Sequence, residues 1–242
     1  MNLLVDIGNT RTKFVNESNG VLSNIASVSN DSLNPLWFTE NWSGAERILV
    51  SSVNHPNINK LISSWAKEAS IDCRFIESEA SRFGVENAYQ EASTLGVDRW
   101  LVLIGAAKLY PNQNILIVDA GTATNVEMLS ATGEHLGGWI LPGIDLMHDS
   151  LLANTSKIFT QTQVNSKTSF GTNTTDCVNN ASRAATCGLV HQALLEAERL
   201  HATVDLILIT GGNARMLKSL LELEVQLAED LIFQGLACYL GA

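Results

Sequence analysis

Two stretches 113 positions apart constrain this chain more than any other feature: Leu3-Leu4-Val5-Asp6-Ile7-Gly8 and Leu116-Ile117-Val118-Asp119-Ala120-Gly121. Each is a short apolar run that stops at an acid followed two residues later by a glycine. Such a run reads as a buried strand, and a strand ending at Asp-x-Gly brings a carboxylate and bare backbone to the edge of a sheet. The same shift superposes Leu3 on Leu116, Val5 on Val118, Asp6 on Asp119, Gly8 on Gly121 and Gly20 on Gly133. These identities fall on the strand end, the turn and the next hairpin glycine, so the chain is expected to fold as two halves of similar topology. Taken singly, an Asp-x-Gly turn is a hairpin whose Asp bonds its own backbone. At matching places in a repeat, the pair reads as an anion site suited to a phosphate and its metal.

The first half is expected to open with strands over 2–7, 12–16 and 21–28, the last two joined by the turn 17–20 ending in glycine. Residues 33–42 stay ambiguous, with Pro35 at a possible helix start. A strand over 47–53 follows, then a helix over 57–69 whose apolar positions Ile58, Leu61, Ile62, Trp65 and Ala69 keep helical spacing. A short strand over 73–76 leads into a polar stretch over 77–94, and a largely apolar helix over 101–110, closed by Pro111, joins the halves. The pattern then restarts with strands over 114–119, 125–129 and 134–140. A helix begins at Pro142-Gly143 and runs to about Ala153, followed by a polar loop over 154–169. A long helix over 174–200 is interrupted by Gly188; a strand over 204–210 runs into Gly211-Gly212-Asn213; helices over 215–221 and 231–240 end the chain. The expected fold is α/β: two halves, 1–112 and 113–242, each a mixed sheet flanked by helices, with a ligand in the cleft between them.

Charge narrows the partners. With 15 basic and 25 acidic residues the formal charge is −10, and no Lys/Arg cluster is present to release phosphate counterions, so neither a nucleic acid nor an anionic membrane is an expected partner. A nucleotide would have to be held by local devices: glycine backbone, a few cations and a metal. The apolar run at the N-terminus ends at Asp6 with no basic region before it, so no signal peptide is expected, and no segment approaches a membrane span. Cys73, Cys177, Cys187 and Cys238 form no C-x-x-C pair, which fits reduced thiols in a cytoplasmic protein.

Six motifs occur in order: Asp6-x-Gly8-Asn9-Thr10-x-x-Lys13, Gly96-x-Asp98-Arg99, Asp119-x-Gly121-Thr122, Gly137-Gly138-x-Ile140-x-Pro142-Gly143, Gly171-x-Asn173-Thr174 and Thr210-Gly211-Gly212. The series resembles the type III pantothenate kinases, a branch of the acetate and sugar kinase/Hsp70/actin superfamily, and covers the chain from Asp6 to Gly212. The resemblance implies two ribonuclease H-like, actin-like ATPase halves and ATP-dependent phosphorylation of pantothenate to 4'-phosphopantothenate, the first step toward coenzyme A. It places Asp6 near Mg²⁺, through phosphates or water, and Gly8, Asn9, Thr10 and Lys13 near the ATP phosphates. Asp119 resembles the ligand of a monovalent cation, K⁺ or NH₄⁺; Thr122, Gly211 and Gly212 resemble further ATP contacts. Asp98 matches the catalytic base. Tyr89, Gly96, Val97, Asp98, Arg99 and Thr174 match the acceptor site. The family also implies a homodimer. One departure stands out: after Asn173-Thr174 the family more often has an apolar residue and a glutamate, where this chain has Thr175-Asp176.

The chemistry is consistent with these roles. Phosphoryl transfer needs alignment of alcohol and γ-phosphate, neutralisation of charge, and a group to take the hydroxyl proton. Asp98 can orient the alcohol and collect its proton late. Arg99 suits a carboxylate, because guanidinium pairs with it bidentately. A helix starting near Val97 adds free N–H donors. By residue type alone, Asp98-Arg99 reads rather as a helix-start acid with a surface ion pair, and Tyr89 is equally a loop aromatic.

Other candidates fail. His148-Asp149-Ser150 cannot converge as a triad because its members are adjacent. His191 and His201 lack a third ligand. The five tryptophans (37, 42, 65, 100 and 139) are dispersed and form no base-stacking platform. Met147 and Met216 read as core filler. Two other functions remain open: a non-catalytic accessory transcriptional regulator of the same family, and a superfamily kinase acting on a sugar or carboxylate. Intact Asp6, Lys13, Asp98, Asp119 and Thr122 favour the enzyme.

Overall fold

A computed structural model describes residues 1–53, 55–154 and 167–241, and its contacts divide the chain into two units: Met1–Tyr110 together with the chain from Asp230 onward, and Pro111–Glu229. The first unit runs β1 (Asn2–Ile7), β2 (Arg11–Ser18), β3 (Val21–Leu22), β4 (Ala26–Ser29), α1 (Pro35–Trp42), β5 (Arg47–Ser52), α2 (Pro56–Glu68), β6 (Asp72–Phe75), a small hairpin β7 (Ser81–Arg82) and β8 (Val85–Glu86), and α3 (Val97–Leu109). Its sheet has the order β3-β2-β1-β5-β6, with β4 also paired to β2. β1 is antiparallel to β2 and parallel to β5, which is parallel to β6.

Strand alternation sorts β1 into two faces. Leu3, Val5 and Ile7 join Ile48 and Val50 in a core completed by Phe38 and Trp42 of α1 and Ile62, Trp65 and Ala66 of α2. Three of the tryptophans gather here: Trp42 stacks on Phe38 at 5.0 Å between centroids and meets Trp37 edge-on at 5.2 Å and Trp65 at 6.4 Å. Burying such a side chain contributes about 1.5–3 kcal/mol, which is ample reason for them to be inside. Residues 33–42 resolve as a helix because Pro35 takes its first turn and Asn34 caps it, its side chain accepting from the Trp37 N–H at 3.0 Å.

The expected strand over 21–28 is broken in two. At the break, the Ser23 N–H donates to the Asn16 carbonyl at 2.9 Å while its hydroxyl accepts from the Asn16 N–H at 3.0 Å, so a side chain takes a place in the ladder. The turn before it has positive φ at Asn19 (53°) and Gly20 (81°), as a two-residue I′ hairpin requires.

The second unit runs β9 (Ile115–Ala120), β10 (Ala123–Leu129), β11 (His135–Pro142), α4 (Ile144–Ala153), α5 (Thr174–Arg199), β12 (Leu206–Thr210), α6 (Ala214–Leu220) and β13 (Gln226–Leu227). Its order, β11-β10-β9-β12-β13, repeats the first sheet strand for strand, with the same directions. One face carries Leu116, Val118, Ala120, Val126 and Met128 against Val190, Ala193 and Ala197 of α5 and Leu217 of α6. Gly188 does not interrupt α5, which is continuous over 26 residues. A glycine there costs about 1 kcal/mol relative to alanine, and the burial of Cys187, Val190, Ala193 and Ala197 around it outweighs that. The expected loop over 154–169 lies, for 155–166, outside the described residues.

The last helix, α7 (Leu231–Cys238), corrects the domain boundary: residues after 229 belong with the first unit, not the second. It lies against α3 through two glycines. A Cβ on Gly105 would collide with the Leu231 carbonyl, and one on Gly235 with the Leu101 carbonyl. Leu231, Phe233, Leu236 and Tyr239 are buried by this packing.

Candidate active site

In the first unit, Asp6 is the penultimate residue of β1 and stands opposite Lys13 on β2 and Ser51 on β5. Residues paired across strands share a face, so carboxylate, ammonium and hydroxyl form one row. The Ser51 hydroxyl donates to Asp6 Oδ1 at 3.0 Å. The hairpin beyond closes with the Gly8 N–H on the Arg11 carbonyl at 3.1 Å, leaving Asn9 and Thr10 exposed at its tip. Asn30 braces it at three points: its amide donates to the Gly8 carbonyl at 2.9 Å, its Oδ1 accepts from the Thr12 hydroxyl at 2.8 Å, and its N–H donates to the Thr10 carbonyl at 3.1 Å.

In the second unit, Asp119 holds the same place, opposite Asn125 on β10 and Thr210 on β12. The hairpin is one residue shorter, so Asn125 stands where Lys13 stands in the first unit. Thr122 is exposed at its tip, and its carbonyl accepts from the Gly143 N–H at 2.9 Å. Gly211 follows β12 with φ of +90°. A side chain there would be strained and would collide with Asp119 Oδ1 and the Ala120 carbonyl. Gly212 is exposed. Gly211 thus lets the chain pass close to the Asp119 carboxylate.

The donor chemistry fits the two cations unequally. Among the described residues no group of three or more His, Cys, Asp or Glu side chains could hold a metal. A divalent ion would then be held by one carboxylate, with phosphates and water completing its shell, which is the usual arrangement for Mg²⁺. Asp6 fits that role, its orientation fixed by Ser51. At Asp119 a carboxylate and backbone oxygen lie together, a hard-oxygen set that suits K⁺ or NH₄⁺.

Of the residues expected at the acceptor site, Tyr89, Gly96, Val97, Asp98 and Arg99 lie at or beside the start of α3, whereas Thr174 belongs to the second unit. Gly96 is the N-cap, and the Asp98 carboxylate accepts from the Arg99 N–H at 2.9 Å. A Cβ on Gly96 would press on the Asp98 carboxylate, so glycine gives that side chain its room. Arg99 is buried, 5% exposed; its Nη1 donates to the Tyr89 hydroxyl at 2.8 Å, and its guanidinium lies 5.5 Å from the Tyr89 ring centroid. Tyr89 is therefore tied to Arg99 rather than loose on its loop. The Val97 side chain is in the core, so its contact with a substrate is confined to backbone. Thr174, exposed, opens α5, and the departure after it has a local account. Asn173 caps the helix with Oδ1 on the Asp176 N–H at 2.9 Å, and its amide returns to the Asp176 carboxylate at 2.7 Å. An acid at the third helical position is what this reciprocal cap needs, and aspartate supplies it.

Elsewhere, His148 Nδ1 lies 3.5 Å from Asp149, whose side chain is 74% exposed, and no triad forms. Glu127 and His135 are a buried pair at 3.0 Å between β10 and β11. A cavity of about 340 Å³ lined by Leu116, Val126, Met128 and Ala193 opens on the sheet face away from Asp119 and contains none of the expected site residues. Ser51, Asn125 and Asn30 received no role in the sequence reading, and Thr210 stood there only as the first residue of the Thr210-Gly211-Gly212 motif. For Ser51 a signal existed, a hydroxyl residue one place before the end of β5, much as Thr210 ends β12.

A family model described as type III pantothenate kinase matches residues 2–196. The type III pantothenate kinase of Colwellia psychrerythraea is 37% identical over 99% of this chain and 100% of its own length. Among solved structures, a conserved putative Baf family transcriptional activator from Campylobacter jejuni superposes with a TM-score of 0.65 at 22% identity, covering 99% of this chain and 97% of that one. A putative 2-dehydro-3-deoxygalactonokinase from Sinorhizobium meliloti does so with a TM-score of 0.63 at 13% identity, covering 98% and 97%. Both share the fold of this chain.

Proposed function

The chain belongs to the type III pantothenate kinase family, and from that membership we infer that it phosphorylates the primary alcohol of pantothenate with ATP, giving 4'-phosphopantothenate for coenzyme A synthesis. The observation that carries the reading to residues is the buried Arg99 guanidinium, bonded to Tyr89 and next to Asp98 at the head of α3. Arg99 takes the pantothenate carboxylate, and Tyr89 holds the guanidinium in orientation. Asp98 receives the alcohol's hydrogen bond and takes its proton as the bond to phosphorus forms. The backbone N–H groups at Gly96 and Val97 add donors at the helix start.

The ATP phosphates fall to Gly8, Asn9, Thr10 and Lys13 in the first unit and to Thr122, Gly211 and Gly212 in the second. Bound Mg²⁺, next to Asp6, would neutralise phosphate charge; a monovalent cation would sit on Asp119. Thr174 is assigned to the acceptor. A homodimer is the proposed assembly, supported by exposed Ile140 (64%) on β11 and Leu146 (47%) on α4, and the cytoplasm is the proposed location. Among the described residues no helix is long and apolar enough to cross a membrane.

The deciding assay couples ADP release to pantothenate in the presence of Mg²⁺ and K⁺ or NH₄⁺, with phosphopantothenate identified by mass. Turnover that saturates with pantothenate is expected. Absence of turnover, or equal turnover with a panel of sugars and carboxylates, overturns the assignment.

A further inference from the structure

We infer that Tyr239, at the end of the C-terminal helix, is a positioning residue for the acceptor site: it closes a ring of hydrogen bonds that holds Tyr89 against Arg99. The inference rests on the acceptor reading given above and deepens it. The ring can be followed atom by atom. The Trp100 indole N–H donates to the Tyr239 hydroxyl at 3.0 Å, and that hydroxyl donates to Glu79 Oε1 at 2.8 Å. The Glu79 carbonyl accepts from the Asn87 amide at 3.2 Å, and Asn87 Oδ1 accepts from the Tyr89 N–H at 2.9 Å. The Tyr89 hydroxyl accepts from Arg99 Nη1 at 2.8 Å, and Arg99 precedes Trp100 on α3. Three separate pieces of chain are thus fastened to one another: the head of α3, the segment from Glu79 to Tyr89, and the residue after α7.

The burial of this node makes it consequential. Tyr239 is 1% exposed and Trp100 fully buried, so water cannot replace the phenol on the indole N–H, while the Glu79 carboxylate at the other end is half-buried, its side chain 38% exposed. Phe83 meets the Tyr239 ring edge-on at 4.9 Å, and the Arg74 guanidinium lies 5.6 Å from its centroid, which fixes where the hydroxyl points. Burial raises the phenol's pKa above its ordinary value, so the hydroxyl stays protonated and able to donate. The segment it holds carries only the small hairpin β7–β8 and has little core of its own. Its placement beside Arg99 therefore depends on side-chain fastenings such as this one. Removing the hydroxyl leaves the helix α7 packed through its glycines and apolar side chains, yet takes from Glu79 its bond to that helix's end and leaves the carboxylate beside Arg82, at 4.0 Å.

The test is Tyr239→Phe in the full chain, read two ways. Hydrogen exchange in the absence of substrates is expected to accelerate in peptides spanning 79–95 and to stay unchanged in the strands of both sheets. Steady-state kinetics are expected to show KM for pantothenate raised about tenfold, the cost of about one buried hydrogen bond, with KM for ATP unchanged. Adding Glu79→Gln to the variant is expected to change KM little further, because the two residues act through one bond. Unaltered exchange, altered exchange with an unaltered pantothenate KM, or a uniform rise in exchange throughout the molecule would each overturn the inference. Failure of the acceptor reading itself shows separately, as a wild-type protein that does not turn over pantothenate.

Discussion

Asp6 and Asp119 are equivalent residues of one topology. Each is the penultimate residue of its unit's central strand, with a hydroxyl residue beside it on the next parallel strand, Ser51 in one case and Thr210 in the other. On the antiparallel side they differ: Lys13 faces Asp6, while Asn125 faces Asp119. The duplicated carboxylates therefore have unlike neighbours, one a lysine and one a neutral amide across the strands, and removing their charges should have different consequences.

For Asp6 the consequence proposed is on the divalent ion and the phosphates. Asp6→Asn keeps an oxygen for the Ser51 hydroxyl and the shape of the strand end, and it leaves Lys13 without a facing negative charge. The expected outcome is a fall in kcat of about 10²–10³, the scale of one lost electrostatic stabiliser, with a higher Mg²⁺ requirement and an unchanged unfolding midpoint. A variant with wild-type Mg²⁺ dependence would show that Asp6 has no part in holding the metal.

For Asp119 the consequence proposed is on the monovalent ion, since Asn125 and not a lysine faces it on β10. Wild-type activity should be higher in K⁺ or NH₄⁺ than in Na⁺ at equal ionic strength, and Asp119→Asn should remove most of that difference. Rates measured across the three chloride salts decide it. Equal wild-type rates in all three would refute the assignment.

Asp98→Asn isolates the proton acceptor. Asparagine can still accept from the Arg99 N–H, as Asp98 does at 2.9 Å, so the head of α3 should be preserved. The expected loss in kcat is about 10²–10⁴, the range for a missing general base, with circular dichroism unaltered. An unchanged kcat would exclude Asp98 from the reaction.

How much of this was legible in the sequence follows from the range of each interaction. The central strands and both Asp-x-Gly turns are local patterns, and β1 and β9 formed where expected. The break between β3 and β4 was not visible, because it depends on the Ser23 hydroxyl meeting Asn16 across the hairpin. The Tyr89–Arg99 bond joins residues ten apart through an irregular loop, which no periodicity reports. Ser51, and its equivalence to Thr210, was missed for a specific reason. The offset between halves is 113 at Asp6 and Asp119, 112 at Lys13 and Asn125, and 159 at Ser51 and Thr210, so a single shift aligns only the first strands. The C-terminal helix was assigned to the wrong half because its apolar pattern demands a partner without naming one; the glycines that seat it, Gly105 and Gly235, are recognisable only in contact.

Cys73 provides a test by pH. It lies in β6, and burial, followed by the negative charge of Asp72 beside it, raises its pKa to about 11. Three pH units below that value, at pH 8, only about one thiol in a thousand is ionised, and the thiolate is the nucleophile. Iodoacetamide at pH 8 should therefore label exposed Cys177 well before Cys73, with Cys73 labelled only after unfolding. The same shift has a definite sign for stability. The folded state holds this proton more tightly than the unfolded chain, whose thiol titrates near 9.0, so the contribution is complete below about pH 9 and is lost as pH rises through about 11. Urea midpoints of the wild type and Cys73→Val, followed from pH 8 to pH 11, should show a steeper decline in the wild type. Parallel declines, or rapid labelling of Cys73 in the folded protein, would mean that β6 opens to solvent and that its pairing with β5 does not shield the thiol.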